Sequence, residues 1–166
     1  TADSALTPPT HGKSSSDKVN AFVERLAAPA QAASAATGIP ARFIIGQAAL
    51  ESGWGKREIK NANGTTSHNV FGVKAGNDWK GKITTAVTTE FVNGQPQKVV
   101  EKFRAYDSYE SALTDYASVL KSNPRYASVA DSSRDAAGFA HGMQRAGYAT
   151  DPQYAKKLIS IMRQIV

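Results

Sequence analysis

Beyond residue 16 the chain changes its hydrophobic period twice. Val19, Phe22, Val23 and Leu26 recur at the spacing of one helix face. With Ser16 or Asp17 as cap they predict a helix that ends near Gly38. Pro40, suited to a first helical turn, opens a second helix carrying Phe43, Ile44, Gln47, Ala48 and Leu50, and Gly53 and Gly55 stop it. Residues 54–69 predict a short turn or helix and a loop rich in Gly, Asn and Thr. The pattern then turns to β-branched residues, from Ile83 to Val92 and from Gln97 to Phe103, around Asn93-Gly94, which predicts a hairpin. Helical spacing returns with Leu113, Tyr116 and Leu120 behind a capping box of Asp107 and Glu110. A further helix is expected from Ser133 to Arg145, ending at Gly147. The last is capped by Asp151-Pro152 and carries Tyr154, Leu158, Ile161, Met162 and Ile165. Helices, one hairpin and helices again predict an α+β fold, mainly α, with a small β lobe. Residues 1–16, with Pro8, Pro9, Gly12 and Ser14-Ser15-Ser16 and almost nothing apolar, predict a flexible linker ahead of one domain at 17–166.

Composition narrows the chemistry. At 166 residues and 41% hydrophobic the chain can bury one core. It has no cysteine, which excludes disulfides, thiol nucleophiles and zinc–thiolate sites. No apolar run is long enough to span a membrane. The formal charge of +6 suits a polyanionic partner or simple solubility. The basic residues are scattered, so no stripe for nucleic acid is expected. His68 and His141 lack the spacing of a metal pair and no phosphate-binding Gly loop is present, so neither metal nor cofactor is expected. The chain opens on Thr1 rather than Met, and a processed or excised segment is the expectation.

Glu51 is the leading candidate for chemistry. It sits in the last turn of an apolar helix, where unpaired carbonyls and the negative dipole end disfavour a carboxylate. Neighbouring Leu50, Trp54 and alanines should desolvate it. Both effects raise its pKa, as a general acid near neutral pH requires. Gly53 and Gly55 leave room for a ligand, and Trp54 and Trp79 offer faces on which sugar rings can stack. Glu90 shares a strand face with Thr84, Ala86 and Thr88, close to the hairpin turn. It can serve as the second carboxylate of a glycoside hydrolase or as a solvated strand residue. Asp115 can orient a site group or hold backbone. Tyr148, in the turn after Gly147, can offer its hydroxyl to a ligand or plug the core. Asn69, Phe71 and Lys74, in Asn69-Val70-Phe71-Gly72-Val73-Lys74, are candidates for substrate contact, Phe71 being also a core candidate.

Four ordered blocks carry a resemblance: Ala48-Ala49-Leu50-Glu51-Ser52-Gly53-Trp54-Gly55, the Asn69–Lys74 segment, Thr88-Thr89-Glu90, and Ala146-Gly147-Tyr148-Ala149-Thr150-Asp151-Pro152. From about residue 17 to the end, the chain resembles glycoside hydrolase family 73, and most closely its flagellar members. The resemblance implies a lysozyme-like fold, with a helical lobe and a β-hairpin lobe flanking a cleft. It implies a periplasmic β-N-acetylglucosaminidase, expected as a monomer, acting on peptidoglycan glycan strands. Glu51 matches the family's catalytic acid, Glu90 its second carboxylate, Asp115 an Asp of flagellar members and Tyr148 the tyrosine of the Gly-Tyr-Ala-Thr-Asp segment. It further implies a rod-binding domain ahead of the hydrolase and a role in opening the wall for the flagellar rod. The rivals are a muramidase, a lytic transglycosylase using Glu51-Ser52, and a cell-wall binding module without turnover.

Overall fold

The computed structural model describes residues 15–165. Of the expected linker, only Ser15 and Ser16 fall within them, and both belong to the first turn of a helix. Among the described residues there are six helices and one two-stranded antiparallel sheet. Helix α1 spans Ser15–Thr37 and α2 spans Ala41–Ser52. Strands β1 (Lys82–Val92) and β2 (Gln95–Ala105) form the hairpin. Helices α3 (Tyr109–Ser122), α4 (Pro124–Ser132), α5 (Ala136–Arg145) and α6 (Tyr154–Ile165) complete the chain. No helix among the described residues is long and apolar enough to cross a membrane.

Helix α2 is the axis of the helical lobe. Seven consecutive residues, Phe43 to Ala49, are buried, so this helix is covered on all sides instead of along one stripe. It packs against α1 and α6, while α1 also packs against α3. The approach to α6 is close at Gly46, where an added Cβ would lie 2.5 Å from Met162. Helix α1 runs through Pro29, whose ring removes one backbone donor. Leu26, Ala30 and Ala33 around it are fully buried, and that packing holds the helix together.

The predicted elements differ from the structure in three places. Ser108 caps α3, accepting from Ser111 N, one residue later than the expected Asp107. Asp107 is drawn instead to Lys82, 2.9 Å away. Asn123-Pro124 starts the separate helix α4, with the Asn123 side chain accepting from Arg125 N. The expected Ser133–Arg145 helix therefore begins only at Ala136, behind an Asp135 cap. Residues 54–69 form turns and a loop, the first of the two expected forms.

The hairpin pairs from Lys82 with Ala105 to Val92 with Gln95 across the expected Asn93-Gly94 turn. Both turn residues have positive φ, 53° and 77°, as a tight two-residue turn requires. Thr84 is buried and Ala86, Thr88 and Glu90 are half-buried, so this face of β1 looks inward, while Ile83 and Val87 face out.

Only the base of the hairpin is fastened to the helical lobe. The 69–75 segment runs beside β2, with Arg104 N donating to Val73 O and Ala75 N to Lys102 O. Asn69, 1% exposed, pins that segment: it accepts from Phe71 N and Val73 N and donates to Val73 O and Arg104 O. Asp115 on α3 completes the anchor, accepting from Arg104 Nη1 at 2.9 Å and from the Tyr106 hydroxyl at 2.5 Å. Because Asn69→Ala would leave several buried backbone groups without partners, it should destabilise the domain by about 3 kcal/mol, read as a lower urea midpoint.

Candidate active site

The hairpin's inner face and the C-terminal end of α2 enclose a cleft of about 940 Å³. Glu51, Glu90, Tyr148, Asn69, Phe71 and Lys74 all line it. The fold therefore brings together six of the nine site candidates read from the sequence. Asp115, Trp54 and Trp79 are not among its lining residues.

Glu51 owes its position to the way α2 stops. Gly53 closes the helix at φ 60°, ψ 50° with its N–H on Ala49 O, and Trp54 and Gly55 continue with positive φ. The Ser52 hydroxyl donates to Ala48 O at 2.6 Å and accepts from Gly55 N. The helix end thus has the Ala48, Ala49 and Ser52 carbonyls met within the chain, and Glu51 lines the cleft. A side chain at Gly53 would put a Cβ 2.5 Å from the Arg57 guanidinium, so this glycine both allows the turn and seats Arg57 over it.

Burial raises the Glu51 pKa from 4.5 to about 7; the Arg57 charge opposes the rise and the Asp151 charge adds to it. Asp151 behaves in the opposite way. Its hydrogen bond to Lys157, 2.6 Å long, and the Gln153 N–H keep it below the usual carboxylate range. Below about pH 7 the two carboxyls on one cleft therefore hold opposite protonation states, a separation associated with acid–base sites.

Beneath Glu51 lies a packed aromatic and amide layer. Gln47, one turn earlier on α2, is fully buried; its Nε2 donates to the Tyr154 hydroxyl and its Oε1 accepts from the Tyr116 hydroxyl. Tyr148 packs against Tyr116, Tyr126 and Tyr154, with centroids 6.4, 5.5 and 5.4 Å apart. Burial first, and then the Glu51 charge, push the Tyr148 hydroxyl well above its ordinary pKa, so it stays neutral on the cleft that it shares with the acid. Phe71 is 3% exposed and stacked on Tyr116 at 3.7 Å, forming floor and core together.

Glu90 faces this layer from the hairpin, held by Lys74 Nζ at 2.7 Å. Glu101 on β2 stands 3.7 Å from the same ammonium. Lys74, expected to touch substrate, is thus the partner of Glu90. Asn69 likewise spends its side chain on backbone groups.

The two tryptophans expected to stack on sugars have other neighbours. Trp54, turned by its positive φ, packs edge-on against Phe22 of α1 with centroids 5.6 Å apart. Trp79 sits under the Arg104 guanidinium, edge-on to Tyr106, and donates from Nε1 to Lys82 O. Asp115 acts at the far side of Arg104, anchoring the hairpin.

Sequence reasoning missed Gln47, Arg57, Glu58, Asp151 and Tyr154 as site residues. Glu58 lines the cleft and accepts from the Tyr109 hydroxyl at 2.6 Å and from the Thr66 hydroxyl. One signal was available: an amide at Gln47, four residues before Glu51 on an apolar helix, needs buried partners.

Comparison with known proteins agrees with this geometry. The family model described as "Glucosaminidase: Mannosyl-glycoprotein endo-beta-N-acetylglucosaminidase" matches residues 27–166. The peptidoglycan hydrolase FlgJ of Escherichia coli strain K12 is 51% identical over 145 residues, covering 87% of this chain and 46% of that protein. The chain therefore spans about half the length of such curated relatives. A crystal structure of a peptidoglycan hydrolase mutant from Sphingomonas sp. A1 superposes with a TM-score of 0.81 at 50% identity, over 86% of this chain and 91% of that one. A C-terminally truncated glycoside hydrolase domain from Salmonella typhimurium FlgJ gives 0.74 at 50% identity, over 89% and 97%. The helical lobe, the hairpin and the cleft between them are thus a lysozyme-like glycoside hydrolase fold, and the chain belongs to the glucosaminidase family, glycoside hydrolase family 73.

Proposed function

We propose that this domain hydrolyses the β-1,4 bonds of peptidoglycan glycan strands as a β-N-acetylglucosaminidase. The observation that carries the reading is a carboxyl, Glu51, held protonated up to about pH 7 on one wall of a cleft whose other wall presents Glu90. The likeness to peptidoglycan hydrolases named FlgJ supplies the substrate class. The same likeness supports a periplasmic place of action, a preceding region that binds flagellar rod proteins, and a role in opening the wall for the rod.

In this mechanism a strand lies between hairpin and helical lobe. Glu51 donates its proton to the glycosidic oxygen as the bond breaks. Arg57 beside it stabilises the carboxylate that forms. Glu90 leaves Lys74, and either activates water or steadies the positive charge developing on the sugar. Tyr148, neutral and next to Glu51, offers a hydroxyl to the N-acetyl group or to water. Asp115 works through Arg104 by fixing the hairpin base from which Glu90 reaches over the cleft. Ser52 is 1% exposed and committed to the helix end, which gives the transglycosylase alternative no free hydroxyl there.

Glu51→Gln should lower product release from purified peptidoglycan by about a thousandfold or more, with the fold intact. Mass spectrometry should find reducing N-acetylglucosamine ends with the parent protein alone. Muramic ends would change the bond assigned, and anhydro ends would make the enzyme a transglycosylase. The parent's kcat/KM should fall above about pH 7 as Glu51 loses its proton.

The same group links pH to stability. The folded state holds the Glu51 proton more tightly than the unfolded chain, so this contribution is complete below pH 4.5 and is lost as pH rises through about 7. Glu51→Gln should therefore match the parent near pH 4.5 and exceed it by about 3 kcal/mol at pH 8, measured by urea unfolding. Glu90→Gln should cost about a hundredfold in activity while leaving the descending limb near pH 7 in place. Parent-like rates on native cell wall would remove Glu90 from the mechanism.

A further inference from the structure

A second cleft, of about 1060 Å³, plays no part in the site above. It lies along the outer edge of β1 at the hairpin base, between Lys82, Thr84 and Thr85 on one side and Lys60, Asn61, Asn63 and His68 on the other. Lys60 lines both clefts, and β1 passes from this one at Thr84 and Thr85 to the first at Ala86. A chain lying over Glu51 can therefore send a branch past Lys60 into it.

The walls are built before any ligand arrives. Lys60 forms a β-bridge with Thr66, and its carbonyl accepts from the Thr84 hydroxyl at 3.1 Å. Asn61 N donates to Thr65 O at 2.8 Å, and the Asn61 amide reaches Thr65 Oγ1 and Thr66 O. His68 Nδ1 is 2.9 Å from Tyr106 O, so that nitrogen is the donor and Nε2 is left for other contacts.

The lining is donor-rich, and its charge is unbalanced. Lys60 and Lys82 face a single acid, Asp107, which already pairs with Lys82. Lys60 Nζ has no ion-pair partner among the described residues. A fixed polar cleft with an uncommitted ammonium suits carboxylates on an extended amide chain.

We propose that this cleft binds the peptide stem of the peptidoglycan strand, with Lys60 taking a stem carboxylate and Asn63 an amide. This rests on the peptidoglycan reading above and extends it. Every second sugar of the glycan carries a short peptide with free carboxylates, and a stem next to the scissile bond needs a place outside the sugar cleft. The cleft would make the enzyme favour peptide-bearing strands over bare glycan.

Two measurements test this. In the first, a soluble stem tripeptide (alanyl-γ-glutamyl-diaminopimelate) is titrated into the Glu51→Gln protein and followed by NMR. Shifts confined to the 60–68 amides and the His68 ring, reduced in Lys60→Ala, support the site. Shifts elsewhere or none overturn it, whether or not the enzyme turns over. In the second, kcat/KM is compared on intact peptidoglycan and on strands stripped of peptides by an amidase. The ratio between substrates should fall about fivefold in Lys60→Ala, and in the same direction in the Asn63→Ala/Lys82→Ala double variant, whose positions line only the second cleft. An unchanged ratio in both variants overturns the inference while leaving the hydrolase reading intact. Absence of release by the parent from either substrate defeats the hydrolase reading, and the titration then decides the cleft by itself.

Discussion

A carboxyl at the C-terminal end of a buried helix lies where the backbone is already electronegative and water is scarce. Helix α2 imposes that situation because it is enclosed on all sides and must end somewhere. Its end is closed internally by the Gly53 turn and the Ser52 hydroxyl, and Arg57 crosses over it. None of these groups takes the proton from Glu51. Burial wins over the Arg57 charge, and the net effect is an acid poised near neutrality. In the layer below, Gln47 is satisfied by the Tyr116 and Tyr154 hydroxyls, and with Tyr148 they form an uncharged floor.

The hairpin is governed by the opposite rule. It is a two-stranded sheet with Val87 and Val100 exposed on its outer face, and such a sheet needs support from elsewhere. Support comes at one end only, through Asn69, Arg104, Asp115 and the Trp79–Tyr106 pair. Glu90, three residues before the turn, is held by an ion pair with a half-exposed Lys74. Exposed pairs contribute little, so the tip can reposition at small energetic cost. A rigid acid and a movable second carboxylate thus follow from the difference in burial between the lobes.

Much of this was legible in the sequence because it depends on local rules. The period change at Ile83, the Asn93-Gly94 turn and the apolar run ending at Glu51 are each read from a few neighbouring residues. The raised Glu51 pKa is legible from its apolar neighbours, whose burial of the carboxyl is the largest cause, while the Asp151 charge is a contribution that no neighbouring residue announces. Helix α4 was missed because Asn123-Pro124 reads equally as a break and as a cap with proline in the first turn. The neighbours of the two tryptophans are not legible for a different reason. Trp54 lies inside one motif block and Trp79 follows another, but the first has positive φ and packs on α1, and the second stacks under Arg104. Which way a loop tryptophan points is decided by tertiary partners that no spacing rule contains.

The same limit explains Asn69 and Lys74. Both belong to the segment that marks the family, and both suggest substrate contact because polar residues near a cleft usually have that use. Asn69 satisfies four backbone groups in a segment with little regular structure, and for Phe71 N, Val73 N and Arg104 O it is the partner that the fold supplies. Lys74 neutralises a hairpin that brings Glu90 and Glu101 onto one face. Residues of the motif can therefore build a cleft as well as line it, because the wall that carries Glu90 has to be assembled first. The residues that build this wall and those that act from it are interleaved along the chain, and hydrogen-bond accounting separates them where sequence position does not.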